Sequence, residues 1–372
     1  MRYVMKIAMF GHKHFPSREG GIEVVVAELA KRMSVSSKLT IYDRYELNKK
    51  KRHKKRHGNI TLCLSPTLSN SKLNAMIASF FSTIQCCIGN YDIVHIHAEG
   101  PSFFCWLLKL FNKKTVVTIH GIDWKRSKWG RFAKWYLRMG EKMAVKYADE
   151  IIVLSQEMHD YFMDTYGRET NIIRNGVSIN RNTKQDKLEA FGLQEDGYIL
   201  YLGRLVPEKR VDLLIEAYKE LDVTKKLVIA GPLDNTDYIN SLRQSADGNQ
   251  NILFIGFVTG PVLEQLYTNC SLFVLPSDLE GMSISLLEAM GYGIPCLASD
   301  IPENRNVLQT FGYFFEAGNK EKLKNEIVNI INHVPHFNKS QQTFVMDHYD
   351  WDHVSQQTLA LYKKVIRRNQ NG

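Results

Sequence analysis

The chain has 372 residues, of which 44% are hydrophobic and 23% charged, and it carries a formal net charge of +9. That length fits two domains of roughly 150–200 residues each, and the composition excludes a disordered, collagenous or coiled-coil chain. Six cysteines with no CxxC spacing exclude a disulfide scaffold and fit buried thiols in a reduced, cytoplasmic setting.

Short β-rich runs alternate with helical patterns along the whole chain, which predicts βαβ units and parallel sheets. In the first half the predicted strands are Met5–Phe10, Lys38–Tyr42, Asn59–Leu64, Ile93–His97, Lys114–Ile119, Glu150–Leu154 and Asn171–Ile173, with helices over Glu23–Met33 and Lys72–Ile88. The opening run MRYVMKIAMFGHKHF reads as a strand rather than a signal peptide, because its apolar stretch is short and no small-residue cleavage site follows. Residues 75–88 and 101–111 are the most apolar segments. Both fall short of the ~20 apolar residues a bilayer span needs, so each is read as a core helix. Asn175-Gly176-Val177 marks a turn, and the polar stretch Ser178–Asp186 reads as an inter-domain linker.

The pattern then restarts. Strands are predicted at Tyr198–Leu202, Lys226–Ala230, Ile252–Ile255, Leu272–Leu275 and Pro295–Ala298, with helices over 211–221, 238–246, 261–269, 283–290 and 319–331, and a terminal amphipathic helix over 352–367. The expected organisation is a first domain over 1–177, a second over 178–350, and a C-terminal helix over 351–372 that crosses back to the first. Both domains are expected to be doubly wound, Rossmann-like α/β layers facing across a cleft, with ligands at the carboxyl ends of the strands.

Charge is unevenly spread. Residues 1–185 hold 31 Lys and Arg against 15 Asp and Glu, whereas residues 186–372 hold 17 against 24. Such asymmetry points the first half toward an anionic partner. Residues 49–57, KKKRHKKRH, form an unbroken basic run, which reads equally well as a solvated loop. In residues 124–147, Trp129, Phe132, Trp135, Tyr136, Met139 and Met143 recur at helical spacing among Lys128, Arg131, Lys134, Arg138 and Lys142. A basic aromatic helix of this kind suits an anionic membrane interface, and an ordinary core face is the competing reading.

Three loops carry chemistry. In FGHKHFPSREGG a strand ends and Gly20-Gly21 precede a helix, so backbone N–H groups and the positive dipole end could meet a phosphate. In Gly203-Arg204-Leu205-Val206-Pro207-Glu208-Lys209 a fork-shaped cation and a point cation sit on one loop, which suits a diphosphate. In SDLEGMSISLLEAM, Glu280 lies on the loop and Glu288 two turns into the following helix, while Gly281, Met282 and Ser283 offer N–H groups at its start. A carboxylate can accept two hydrogen bonds from a vicinal diol, so two carboxylates here could hold two sets of sugar hydroxyls.

SDLEGMSISLLEAMGYGIPCLAS resembles the E-x7-E signature of family 4 glycosyltransferases with the GT-B fold. GRLVPEKR resembles that family's phosphate-clamp loop, Thr118-Ile119-His120-Gly121-Ile122-Asp123 its first-domain histidine loop, and PSREGGIEVVVAELAKRM its Gly-Gly donor loop. Arg174-Asn175-Gly176-Val177 is similar to its inter-domain Pro-Asn-Gly-Val, with Arg in place of Pro, and the first half is most similar to bacterial polysaccharide-assembly, rhamnosyltransferase-like members. The resemblance implies that Arg204 and Lys209 neutralise the donor diphosphate and that Gly21, beside Gly20, offers its N–H to a phosphate. It implies that Glu288 holds the ribose hydroxyls, that Glu280 and the Gly281–Ser283 amides bind donor sugar or phosphate, and that His120 lies near the reacting carbon. It further implies a retaining, metal-independent hexosyl transfer from a nucleoside diphosphate sugar to a glycan or lipid-linked acceptor of a cell-surface polysaccharide. No cofactor and no nucleic-acid partner are expected, and the enzyme is expected at the inner face of the cell membrane.

Other signals weigh less. Asp350-Trp351-Asp352 has the DxD form used by metal-dependent transferases, but it opens the terminal helix, where Asp352 reads as a dipole charge. His95-Ile96-His97 puts two rings on one strand face, yet with His12 and His14 it lacks a recognised zinc spacing. The rival functions are a nucleotide-sugar epimerase or glycosyl phosphorylase of the same fold, and a non-catalytic basic protein that binds nucleic acid or lipid.

Overall fold

A computed structural model of the chain describes residues 3–46, 55–68, 73–125 and 129–368. The chain forms two compact units. Unit 1 comprises Met1–Asn175 together with Trp351–Gly372, and unit 2 comprises Gly176–Asp350.

In unit 1 the described strands are β1 (Met5–Phe10), β2 (Ser37–Glu46), β3 (Lys55–His57), β4 (Ile60–Thr67), β5 (Ile93–His97), β6 (Thr115–Thr118), β7 (Glu150–Val153) and β8 (Asn171–Ile172). They pair in the order β3-β4-β2-β1-β5-β6-β7-β8. All pairings are parallel except the edge hairpin of β3 on β4. β1, IAMF at its centre, is buried on both faces, as a strand inside a helix-covered parallel sheet must be. β3 is the end of the basic run, and its three side chains are all exposed. Charge on an unpaired edge blocks strand addition from another chain. The rest of that run, residues 49–54, lies outside the described residues, as does Lys128.

The helix Trp351–Arg368 packs in unit 1. It is tied there by Arg32 Nε to Asp352 Oδ1 at 2.5 Å, by Tyr362 Oη with His95 Nδ1 at 2.6 Å, and by Arg368 to Glu150 Oε1 at 2.6 Å. Asp352 thus serves an ion pair, and Trp351 beside it is buried.

Two expectations change. The segments read as core helices form the helices Asn74–Ile88, Glu99–Ser102 and Cys105–Leu110, and they expose Phe80, Phe81, Trp106, Leu110 and Phe111. The aromatic face expected over 124–147 is also split. In the helix Arg131–Tyr147 the buried stripe is Tyr136, Leu137, Gly140, Glu141 and Ala144, whereas Phe132 and Trp135 face outward. Gly140 sets this rotation, because a Cβ there would lie 2.0 Å from the carbonyl oxygen of Glu99. The close approach of the two backbones therefore selects the small-residue side as the inner one.

In unit 2 the strands are β9 (Tyr198–Leu202), β10 (Lys226–Ala230), β11 (Ile252–Gly256), β12 (Leu272–Leu275), β13 (Cys296–Ser299) and β14 (Tyr313–Phe315), in the parallel order β11-β10-β9-β12-β13-β14. The first strand in the chain lies between its second and fourth, which is the dinucleotide-fold order, and the strand direction of winding reverses at β9. In unit 1 the same reversal falls at β1, between β2 and β5.

Candidate active site

In unit 2 the chemistry-bearing loops leave the carboxyl ends of β9 and β12, which are neighbours at the reversal point. That is where doubly wound sheets open a crevice for ligands. Gly203 donates its N–H to Ala230 O at 3.0 Å, and Gly231 is required opposite it, since a Cβ at 231 would lie 2.0 Å from Gly203 O. Tyr201, buried on β9, donates its hydroxyl to Arg204 O at 2.9 Å and so fixes the start of the loop. Burial, then the Glu280 carboxylate, hold its phenol well above the ordinary range.

The loop continues as a single turn over Pro207–Lys209, and Arg210 follows at φ +50° before the helix Val211–Lys219. Asp278 N donates to Glu208 O at 2.9 Å, which ties this loop to the one after β12. Two ion pairs complete the tie. Lys209 Nζ donates to Glu280 Oε1, with the side chains only 13% and 6% exposed. Arg210 donates to Asp278 at 3.1 Å; partial burial lowers its guanidinium, but Asp278 and Asp212 together hold it above its ordinary value. The Arg204 side chain is exposed.

The helix Ile284–Gly291 begins directly after the second loop. Ser283 caps it by accepting from Leu286 N at 3.4 Å, and Gly281 and Met282 lie just outside. Glu288, one turn in, is buried and accepts from Tyr267 Oη at 3.2 Å; Tyr267 is itself stacked on Tyr292 at 5.0 Å. Arg204, Lys209, Glu280, Gly281–Ser283 and Glu288 therefore all fall within two adjoining loops and one helix start.

In unit 1, Gly20 caps the helix Gly21–Met33 from an extended conformation, with Gly21 exposed. The loop after β1 closes on β5: Gly11 has φ +117°, and a Cβ there would lie 2.1 Å from His97 O. His120, after β6, is joined to His97 by a 3.1 Å Nε2–Nδ1 hydrogen bond, and the two rings stack at 5.3 Å. His97 lies 4.1 Å from His95, whose nitrogens meet Thr118 Oγ1 at 2.7 Å and Tyr362 Oη. Burial pushes His120 down to about 4 and His95 to about 3, and it lowers His97 well below the ordinary range, so these imidazoles are neutral.

The sequence singles out His120, and for His95 and His97 it favours a strand-end histidine facing the cleft over a zinc ligand. Among the described residues no group of three or more His, Cys, Asp or Glu has metal-holding geometry. The alternation His95-Ile96-His97 is the sequence signal for the close approach of those two rings, and nothing in it reports the stacking of His97 on His120. Arg210 and Asp278, which lock the two unit 2 loops, lie inside the GRLVPEKR and SDLEG segments, but nothing in the sequence pairs them.

Solved structures share the architecture across almost the whole chain. Sucrose-phosphate synthase from Thermosynechococcus elongatus superposes with a TM-score of 0.85 at 18% identity, covering 98% of this chain and 100% of that one. Anabaena Alr3699/HepE, solved in complex with UDP and glucose, gives 0.79 at 19% identity over 97% and 100%. The fold is GT-B, the two-Rossmann glycosyltransferase architecture.

The family profile described as Glycosyltransferase Family 4 matches residues 19–181, and that described as Glycosyl transferases group 1 matches residues 183–343. The O-antigen chain mannosyltransferase RfbU of Salmonella typhimurium is 27% identical over 267 residues, 67% of this chain and 73% of that protein. The chain belongs to the family 4 glycosyltransferases.

Proposed function

We propose that this glycosyltransferase moves a hexose-type sugar, with retention and without a metal ion, from a nucleoside diphosphate donor to a lipid-linked glycan during cell-surface polysaccharide assembly at the inner face of the membrane. The observation that carries the proposal is the tie between the loops after β9 and β12 by Lys209–Glu280, Arg210–Asp278 and Asp278 N to Glu208 O. It fixes Lys209 and the loop that carries Arg204 beside a helix start before any donor arrives.

Each residue then has a task. Arg204 and Lys209 take the diphosphate, Arg204 through its fork and Lys209 as a point charge. Glu280 orients Lys209 with one oxygen, and with the Gly281, Met282 and Ser283 amides it meets the donor sugar and phosphate. Glu288, steadied by Tyr267, takes the ribose hydroxyls. Gly203 keeps the first loop close to the sheet, Gly20 and Gly21 present the helix N-terminus of unit 1 to a phosphate, and neutral His120 hydrogen-bonds the sugar without placing a positive charge beside an oxocarbenium-like centre.

The bond from the anomeric carbon to the diphosphate breaks as the two cations stabilise charge on the leaving oxygen. The acceptor hydroxyl forms the new bond on the same face, and its proton passes to a phosphate oxygen of the departing diphosphate. No enzyme carboxylate attacks, unlike retaining hydrolases. UDP sugars are the first donors to test, because HepE was solved with UDP and glucose.

A thermal-shift screen with UDP, dTDP, GDP and ADP sugars tests the donor site, since a ligand bound only to the native state raises stability as ln(1 + [L]/Kd). One nucleotide sugar is expected to raise the Tm clearly, and Glu288→Ala is expected to abolish the shift. An unchanged shift in Glu288→Ala would remove the ribose role.

A further inference from the structure

Beyond the donor site, unit 1 carries a row of packed aromatic rings that is exposed at both ends and buried at Phe104 in its middle. Phe81 meets Phe80 at 5.6 Å, Phe80 meets Phe104 at 5.5 Å, and Phe104 meets Phe103 at 5.3 Å. Phe103 meets Trp135 at 6.5 Å, and Trp135 meets Phe132 at 5.8 Å. The row crosses from the helix Asn74–Ile88, over the segment between Glu99–Ser102 and Cys105–Leu110, to the helix Arg131–Tyr147. Its ends are open to solvent: Phe80 and Phe81 are 41% and 40% exposed, and Phe132 and Trp135 are 60% and 53% exposed. Trp106, Leu110, Phe111 and Ile88 are exposed on the same helices.

Scattered exposed apolar residues are ordinary, but two exposed aromatic pairs joined through packed rings, with further exposed apolar side chains on the same segments, mark an interaction site. The charge around the row selects the partner. The helix Asn74–Ile88 contains no charged residue. On Arg131–Tyr147 the exposed charges are Arg131, Arg138, Lys142 and Lys146, and its one acid, Glu141, is buried. Lys109 is the exposed charge of Cys105–Leu110. The surface thus combines rings with cations and shows no exposed carboxylate on these helices. Aromatic rings settle at the headgroup level of a bilayer, and cations beside them are drawn to anionic lipid. No helix among the described residues is long and apolar enough to cross a membrane, so contact would be with the surface.

We infer that this three-helix aromatic surface docks unit 1 onto an anionic lipid bilayer, with Phe80, Phe81, Phe132 and Trp135 entering the interface and the cations of Arg131–Tyr147 meeting the headgroups. The inference rests on the proposed lipid-linked acceptor for its purpose, and it widens the expected contact from one basic helix to three, one of them uncharged.

The test is flotation of the full chain with vesicles of phosphatidylglycerol and phosphatidylcholine, against vesicles of phosphatidylcholine alone, at low and high salt. Wild type is expected to float with the anionic vesicles and to be released in part by salt. Phe80→Ser/Phe81→Ser, which changes no charge, is expected to weaken flotation on the order of tenfold or more, because the apolar area it would bury is gone. Phe132→Ser/Trp135→Ser is expected to do the same. Each variant is checked for an unchanged Tm, as expected for exposed positions. Wild-type flotation by the Phe80→Ser/Phe81→Ser variant would overturn the inference in favour of charge alone. A stable dimer in solution that dissociates in the same variants would overturn it in favour of a second copy.

Slow donor hydrolysis, read as nucleoside diphosphate released, separates this from the function. A chain that releases nucleoside diphosphate but never floats sinks the docking surface and leaves the transferase reading. A chain that floats but does not turn over donor does the reverse.

Discussion

In unit 2 the loops at the reversal of strand order keep their charges and pair them, Lys209 with Glu280 and Arg210 with Asp278. In unit 1 the ends of β5 and β6 hold buried groups driven to their neutral forms, His97 and His120 and, two residues after His97, Glu99. The two solutions fit different tasks. Paired ions can be handed to an arriving diphosphate, because Lys209 can share its protons between Glu280 and a phosphate. Neutral imidazoles present donors and acceptors of fixed direction and add no field of their own. Unit 2 therefore concentrates paired charge at its strand ends, and unit 1 neutral groups held in fixed hydrogen-bond geometry.

The largest expected effect strikes the charged side. Arg204→Ala is expected to lower kcat on the order of 10²–10³-fold, the scale of removing one preorganised charge-stabilising donor. The side chain is exposed, so stability should move by less than about 0.5 kcal/mol. Steady-state kinetics together with a melting curve check both halves. Wild-type kcat in the folded variant would remove Arg204 from the leaving-group role. Lys209→Ala is a poorer probe, because it leaves Glu280 buried without its partner and breaking such a pair costs about 3–5 kcal/mol.

A smaller effect is expected on the neutral side. If His97 positions His120 through its Nδ1, His97→Ala should lower kcat on the order of tenfold while the donor KM stays within about twofold, since misplacement by a fraction of an ångström affects alignment more than binding. An Asn side chain places a polar atom near the Nδ1 position, and Gln near Nε2. His97→Asn is therefore expected to recover most of the rate and His97→Gln little of it. Equal rates in the Asn and Gln variants would reduce His97 to a packing role, and His120→Ala with unchanged kcat would remove the donor-sugar reading itself.

Much of this was legible from the sequence because it is written locally. Met5–Phe10, Ile93–His97, Tyr198–Leu202, Lys226–Ala230 and Leu272–Leu275 are apolar runs bounded by turns, and each is a strand over those residues. The strand β14 is an apolar run of only three residues and the helix Lys339–His348 lacks such a run, and neither is predicted from the sequence. Arg204, Lys209, Glu280 and Glu288 stood out because the segments that hold them resemble the family's motifs and follow predicted strands. What periodicity could not settle was which side of an amphipathic helix faces inward. Phe132, Trp135 and Tyr136 look alike in sequence, and only the backbone contact between Gly140 and Glu99 puts Tyr136 inside and Phe132 outside. The pairings Lys209–Glu280 and Tyr362–His95 join residues 71 and 267 positions apart, and no single-sequence pattern reports such contacts.

The smallest predicted effect concerns Glu99, which lies two residues after the end of β5 and is fully buried. Burial first, then the carboxylates of Asp123 and Glu141, push it up to about 10 from an ordinary 4.5. Glu141 stays engaged as an acceptor, taking hydrogen bonds from Trp124 Nε1 at 3.1 Å, Tyr161 Oη at 2.9 Å and Tyr166 Oη. The folded chain therefore holds a proton on Glu99 that the unfolded chain has released above 4.5. Since the native state binds more protons, stability falls as pH rises from 4.5 toward 10. Glu99→Gln keeps the shape and removes the titration. Its Tm should match wild type near pH 5 and exceed it at pH 9 by on the order of 2–4 °C. Because every other titrating group is common to both chains, the difference between the two melting curves isolates Glu99. A difference that does not grow between pH 5 and pH 9 would mean that Glu99 is ionised in the fold, and that unit 1 holds charge in the same way as unit 2.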